Sequence, residues 1–173
     1  MTPKVNWLTF LAIVCGSVIS SAAEPAKSKP PELRLLERLV GNWNSESVSR
    51  VAEWTPVEAR TKGILTREWV LDGRFLQENA KLSNGDFIVM YSFDVEKKKY
   101  RLWLFHSEGI TTETQGQWDE STQTFTFTSD LNGLKHTSTI KFIDEDTHNS
   151  AAVVKDTQGK VLWNAECKYT RRK

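Results

Sequence analysis

Along most of this chain, apolar and polar residues alternate with a period of two. Phe87, Val89, Tyr91 and Phe93 fall on one face of a segment, with Ile88 and Met90 on the other. In the next segment Tyr100, Leu102 and Leu104 oppose Trp103 and Phe105, and near the end Val161, Trp163, Ala165, Cys167 and Tyr169 oppose Asn164, Glu166 and Lys168. Such alternation is the signature of β-strands, and strands apolar on both faces need cover on both. Turn signals separate the segments at Asp72-Gly73, Asn84-Gly85, Asp94 to Lys97, Glu108-Gly109, Asp119 to Ser121, Asn132-Gly133, Asp144 to Asp146 and Gln158-Gly159. Their spacing of about twelve residues is that of successive hairpins. Including the stretches from Trp43 and from Ala59, the pattern predicts about ten strands. No proline follows Pro56, as central strands require, because proline cannot donate to a neighbouring strand. A meander this long closes to remove its edges. The expected fold is therefore all-β: a closed or nearly closed antiparallel up-and-down barrel, its interior filled on one side and its outside covered by helix, neighbours or a partner. One element breaks the pattern. Pro31 to Val40 reads as a short helix, with Pro31 at its start, Leu33, Leu36, Leu39 and Val40 on one face and Gly41 at its end.

The start of the chain is different in kind. Lys4 precedes an apolar run from Trp7 to Ile19, and Ser21 and Ala23 supply small residues before a cleavage point. This is the layout of a secretory signal over residues 1–23, too short to anchor in a bilayer. The expected location is secreted or periplasmic, with no membrane association after cleavage. Residues 24–31 form a proline-rich polar linker and residues 32–173 a single domain. Loss of the signal removes Lys4 and no acid, so Lys plus Arg, 23 against 22 Asp plus Glu in the whole chain, fall into balance. A neutral domain lacks the basic footprint of a nucleic-acid binder. Cys15 leaves with the signal, so Cys167 has no intramolecular disulfide partner.

The run Leu39-Val-Gly41-Asn-Trp43, a short helix leading into Gly-x-Trp on the first strand, resembles the opening of lipocalin-like (calycin) barrels. There the tryptophan plugs the end of the barrel beneath the helix. Trp69 to Leu76, Tyr91-Ser-Phe-Asp94, Lys97 to Tyr100 and the terminal Tyr169-Thr-Arg171 resemble signature segments of domain-of-unknown-function family 1579. The resemblance extends from Leu33 to Arg171 and departs from the family at Ser92-Phe93, where Gly-Tyr is more usual. It implies a lipocalin-like barrel and no catalytic residue.

Read for chemistry, the chain contains no nucleophile elbow, phosphate-cradling glycine loop, HExxH or CxxC. His106, His136 and His148 are isolated from one another in sequence. A haem-binding barrel of the nitrobindin-like kind would use one of them as axial ligand, His106 being the best placed, although a solvated rim histidine is the simpler reading. No cofactor and no metal are expected, since Asp144-Glu-Asp146 with His148 reads as an ordinary solvated turn. Cys167 reads as a buried, inert thiol. The polar residues inside strands carry more information. Depending on register, either Arg67 with Trp69 or Glu68 with Val70 faces inward, and Arg74 and Glu78 share a face across the Asp72-Gly73 hairpin. A charge inside a barrel costs several kcal/mol unless paired, so Glu68, Arg74 and Glu78 either form an internal pair or grip a ligand's polar end, the alternative being that they lie on the outer face. With aromatic walls, the candidate ligand-binding set is Arg67, Glu68, Trp69, Arg74, Glu78, Tyr91 and Trp103. The leading functional expectation is binding of a small, largely apolar ligand inside the barrel. The alternatives are a packed structural or interaction domain without ligand, and an enzyme using interior carboxylates such as Glu68 or Glu78.

Overall fold

The protein was analysed as a computed structural model, which describes residues 29–83 and 85–173. The expected signal, most of the linker and Asn84 of the third hairpin lie outside these residues. Ten strands follow in order: β1 (Gly41–Ser49), β2 (Ala59–Val70), β3 (Phe75–Leu82), β4 (Gly85–Asp94), β5 (Lys99–His106), β6 (Thr111–Asp119), β7 (Thr124–Leu131), β8 (Leu134–Phe142), β9 (Thr147–Lys155) and β10 (Val161–Arg171). Each pairs antiparallel with its sequence neighbour, and β10 returns to pair with β1, closing the barrel. The hairpin between Phe87–Phe93 and Tyr100–Phe105 sits in the expected register, with Tyr91 opposite Leu102 and Phe93 opposite Tyr100. A bulge between Val161 and Trp163 shifts the start of β10, so its inward stripe begins at Trp163 and Leu162 is buried instead of Val161.

The expected short helix is a 3-10 helix, Pro31–Leu39, with Val40 at its C-terminal cap and not on the buried face. Its buried residues are Leu33, Leu36 and Leu39. Their constant spacing of three places them in one row only when the winding is three residues per turn. The helix closes one end of the barrel, where Tyr100 donates from its hydroxyl to the Glu32 carbonyl at 3.0 Å. Trp43 plugs that end: it is 1% exposed, and its Nε1 donates to the Leu39 carbonyl at 2.8 Å. Arg171 lies 4.1 Å over the Trp43 ring and donates to the carbonyls of Val40 and Arg38, tying the last strand to the helix. Gly41 makes this possible. Its φ is +120°, and a Cβ there would stand 2.7 Å from Arg171 Nη1.

Behind the plug, the inner wall is filled by aromatic and aliphatic side chains. Phe125 and Phe127 are fully buried, Tyr100 packs edge-on against Phe125 at 4.8 Å, and Trp118 and Phe142 complete the cluster with Leu76, Val89 and Ile140. Gly116 leaves room for this packing, since a Cβ there would meet Phe127 at 2.5 Å. From Ile140 the inner face continues across β9, β10 and β1 as Ser150, Cys167 and Ser47, one residue opposite the next. The row above it runs Ser138, Ala152, Ala165 and Ser49. The barrel thus has a packed half under the helix and, toward the opposite end, a half walled on β8–β10 and β1 by small residues.

Candidate functional site

Strand parity decides which sequence candidates share the interior. Leu65 and Arg67 on β2 are buried, so Glu68 lies on the outer face and is exposed. Arg67 pairs across the ladder with Glu78 on β3, which lies opposite Val89 of β4, with Tyr91 two residues further along the same face. Arg67 Nε donates to Glu78 Oε2 at 2.6 Å, and the Tyr91 hydroxyl donates to the same oxygen at 3.0 Å. Burial disfavours the Arg67 cation, yet the adjacent carboxylate outweighs it and raises its pKa. Burial, reinforced by Glu78, raises the Tyr91 pKa and keeps its hydroxyl a donor. The interior alternative of an ion pair is therefore realised by Arg67 and Glu78.

Arg67 makes a second contact that sequence reasoning missed. Its Nη1 lies 3.1 Å from His148 Nε2. A guanidinium only donates, so Nε2 accepts and the His148 proton resides on Nδ1. Burial, with Arg67 and Arg171 nearby, depresses the His148 pKa to about 2, so the ring is neutral. His148 stacks on Tyr169 at 4.5 Å and meets Trp43 edge-on at 4.5 Å. The signal was present in the alternation of β9, His148, Ser150, Ala152 and Val154, but the acidic turn before it suggested a loop group. In the structure that turn is separate, with Asp144 accepting from the Asp146 backbone and Asp146 pairing with Arg171. No set of three metal-ligating side chains occurs among the described residues.

Trp69 also faces inward and packs against the main core. Arg74 occupies the β2–β3 turn, half-buried, and its carbonyl accepts from Ser92. Trp103 corrects an expectation. Tyr100, Leu102 and Leu104 take the inner face of β5, so Trp103 points outward, opposite Met90, with Arg101 4.6 Å over its ring. Both faces of β5 are apolar, and sequence alone did not rank them. His106 sits on the inner face at the open end, 5.0 Å from Phe87, and its Nδ1 accepts from the Glu108 backbone. Cys167 is inward and half-buried, and burial pushes its thiol up to about 11, as suits an unreactive group.

On β8–β10, β1 and β2 the wall of the open half is Ser138, Ser150, Ala152, Ala165, Cys167, Ser47 and Thr61, and on β3–β6 Ala80, Phe87, Leu104 and Thr112 face it, with His106 and Trp163 nearer the rim. Ser47, Ser138, Ser150, Ala152, Ala165 and Cys167 all keep partial exposure. Four interior polar atoms have no partner among the described residues: Trp69 Nε1, Thr114 Oγ1, His136 Nδ1 and His148 Nδ1. A groove of about 620 Å³ runs along β8–β10, β1 and β2, and Ser47, Thr61, Ser150 and Cys167 of the inner wall line it together with outer-face residues. Its charged lining residues include Lys62 and Glu46, ladder partners on β2 and β1 that pair at 2.7 Å.

A family model described as "Protein of unknown function (DUF1579)" matches residues 29–171. The chain belongs to this family. Among solved structures, this DUF1579 barrel is similar to Rv2717c from M. tuberculosis, at 14% identity and TM-score 0.63 over 84% of this chain and all of that one. It is similar to the S-type phycobiliprotein lyase CPES from Guillardia theta, at 15% identity and TM-score 0.57 over 81% and 92% of the two chains. A DUF3598 protein of unknown function from Nostoc punctiforme matches at 10% identity and TM-score 0.53 over 79% of this chain and 48% of that one. Comparison with curated proteins finds no match. At these identities the likeness establishes the lipocalin-like fold.

Proposed function

We propose that this DUF1579 protein binds a small, largely apolar ligand in the half of the barrel lumen opposite the 3-10 helix. The observation that carries the reading is the mismatch between strand number and side-chain size. The interior of a closed barrel widens with each added strand, and about eight strands already enclose a space that side chains can just fill or that holds one small ligand. Here ten strands surround a region walled on β8–β10 and β1 by serine, alanine and cysteine and on β4 and β5 by Phe87, Val89 and Leu104. The small side chains leave volume that the aromatic residues of the other half do not. Ligand sites combine an apolar wall with a few polar groups, and the unpartnered Thr114 and His136 supply those. The phycobiliprotein lyase of the same fold is consistent with a lumen put to use, although the fold does not transfer its activity. Export to the periplasm or outside the cell is part of the proposal and rests on residues 1–23; Edman sequencing of the protein from its own host should start at Glu24 if it holds.

Native mass spectrometry of protein purified from its own host tests the binding reading. A bound species of a few hundred daltons, released on denaturation, is the expected result. Protein of the bare chain mass, together with failure to bind any apolar fluorescent probe, would replace this reading with a packed domain.

A further inference from the structure

Taking the lumen reading as its basis, we infer that the ligand is an uncharged amphiphile: an apolar body carrying a neutral hydrogen-bonding group such as an alcohol, ketone or amide, held at Thr114 and His136.

Two independent features of the inner wall point this way. The first is where hydrogen-bonding capacity is left over. Thr114 is 1% exposed and its Oγ1 has no partner. His136 Nδ1 is likewise buried and unpartnered. Ser129 stands opposite His136 on the next strand. Gln115 lies opposite Thr128, which places Thr114 beside Ser129 on the inner face. Thr114, Ser129 and His136 therefore form one row on β6, β7 and β8, which starts at the edge of the packed half, where Thr114 lies opposite Leu102. Buried polar groups almost always have partners, and two of this row left unsatisfied, Thr114 Oγ1 and His136 Nδ1, mark where a ligand or an ordered water completes the bonding.

The second feature is the absence of spare charge. By strand parity, Arg67 and Glu78 are the charged residues on the inner face between plug and rim among the described residues, and they neutralise each other at 2.6 Å. Tyr91 and His148 occupy further positions around the pair. An arginine so engaged offers no counter-charge to an incoming carboxylate. Burial also depresses the His136 pKa and keeps that ring neutral. A fatty acid or any ligand with a buried anion would lose its hydration without a partner, which is costly, whereas a hydroxyl or amide would gain bonds from Thr114 and His136.

The test uses the purified protein and competition against phenylnaphthylamine, an uncharged fluorescent probe. The competitors share one chain: dodecanol, dodecanamide, dodecanoate and dodecylammonium, each below its micelle-forming concentration. The alcohol and amide should displace the probe at concentrations about tenfold or more below those of the two ions, as expected when a buried charge is left unpaired. Thr114→Val, which keeps shape and deletes the hydroxyl, should weaken dodecanol by about threefold to tenfold, the worth of one neutral hydrogen bond. Glu78→Gln should raise dodecanoate affinity by uncovering Arg67. If that variant fails to fold, the wild-type series and Thr114→Val decide alone. Dodecanoate equal to or tighter than dodecanol, or Thr114→Val without effect on dodecanol, overturns the inference and leaves the lumen reading standing. Failure of phenylnaphthylamine itself to bind overturns both.

Discussion

The two halves of this barrel share strands, register and closure, yet they handle interior space in opposite ways. Under the 3-10 helix, Trp43, Phe125, Phe127, Leu76 and Leu39 are all 1% exposed or less, and the buried charges are locked in the Arg67–Glu78 pair. Beyond that pair the wall is Ser47, Ser138, Ser150, Ala152 and Ala165, none of them fully buried. Protein interiors are close-packed, and volume left by small side chains is either water, ligand or lost stability. The filled half therefore carries the stability of the fold, and the sparsely filled half is free to serve binding.

The sharpest break of that comparison is at the plug. Trp43→Ala should cost about 3 to 5 kcal/mol in urea unfolding, as large aromatic deletions in cores do. A cost under about 1 kcal/mol would place the stabilising core elsewhere. Glu78→Ala comes next, because it strands a buried guanidinium, with an expected loss of about 3 kcal/mol or more. Replacing Arg67 and Glu78 together by Met and Leu should recover most of that loss, which isolates the unpaired charge as its cause.

A pH series sharpens the same contrast. The folded His148 pKa is depressed to about 2, and the ordinary value is 6.5. Below the ordinary value the unfolded chain takes up a proton that the folded chain refuses, so stability falls as pH falls. Each pH unit below about 6 should cost about 1.4 kcal/mol from this one group, until the folded pKa is reached. Unfolding midpoints measured between about pH 6 and pH 5, before most carboxylates titrate, should show this slope in the wild type and a flatter one in His148→Gln. A slope unchanged by that substitution would mean that His148 is not held neutral. The smallest effect belongs to the row of Thr114, Ser129 and His136. There Thr114→Val removes a hydroxyl that has no partner, so stability should hold or rise by about 1 kcal/mol, opposite in sign to the losses above.

Hairpin spacing, proline placement and the Gly-x-Trp start made the ten-strand closed barrel legible from the chain, because each rests on local backbone chemistry. The interior was only half legible. Arg67 and Glu78 could be nominated, but whether Arg67 or Glu68 faced inward depended on register. The register is settled by the ladders of β2 with β1 and β3, not by β2 itself. Trp103 was placed in the pocket because β5 is apolar on both faces, and parity is ambiguous in such a strand. His148 was missed for a different reason: its partners Arg67, Trp43 and Tyr169 come from three other strands. The short helix was legible from Pro31 and the Leu33, Leu36 and Leu39 spacing, and the structure adds its 3-10 winding.

The central claim, that the small-residue half is a ligand lumen, is tested most directly by filling it. Ala152 lies between Ser138 and Ala165 on the inner wall, and Ala152→Trp would occupy the space without touching the packed half. The wild type should bind phenylnaphthylamine saturably at one site. In Ala152→Trp that affinity should fall by about tenfold or more, with unfolding stability within about 0.5 kcal/mol of the wild type. Undiminished binding in Ala152→Trp would contradict the account, because the ligand would then lie outside the lumen.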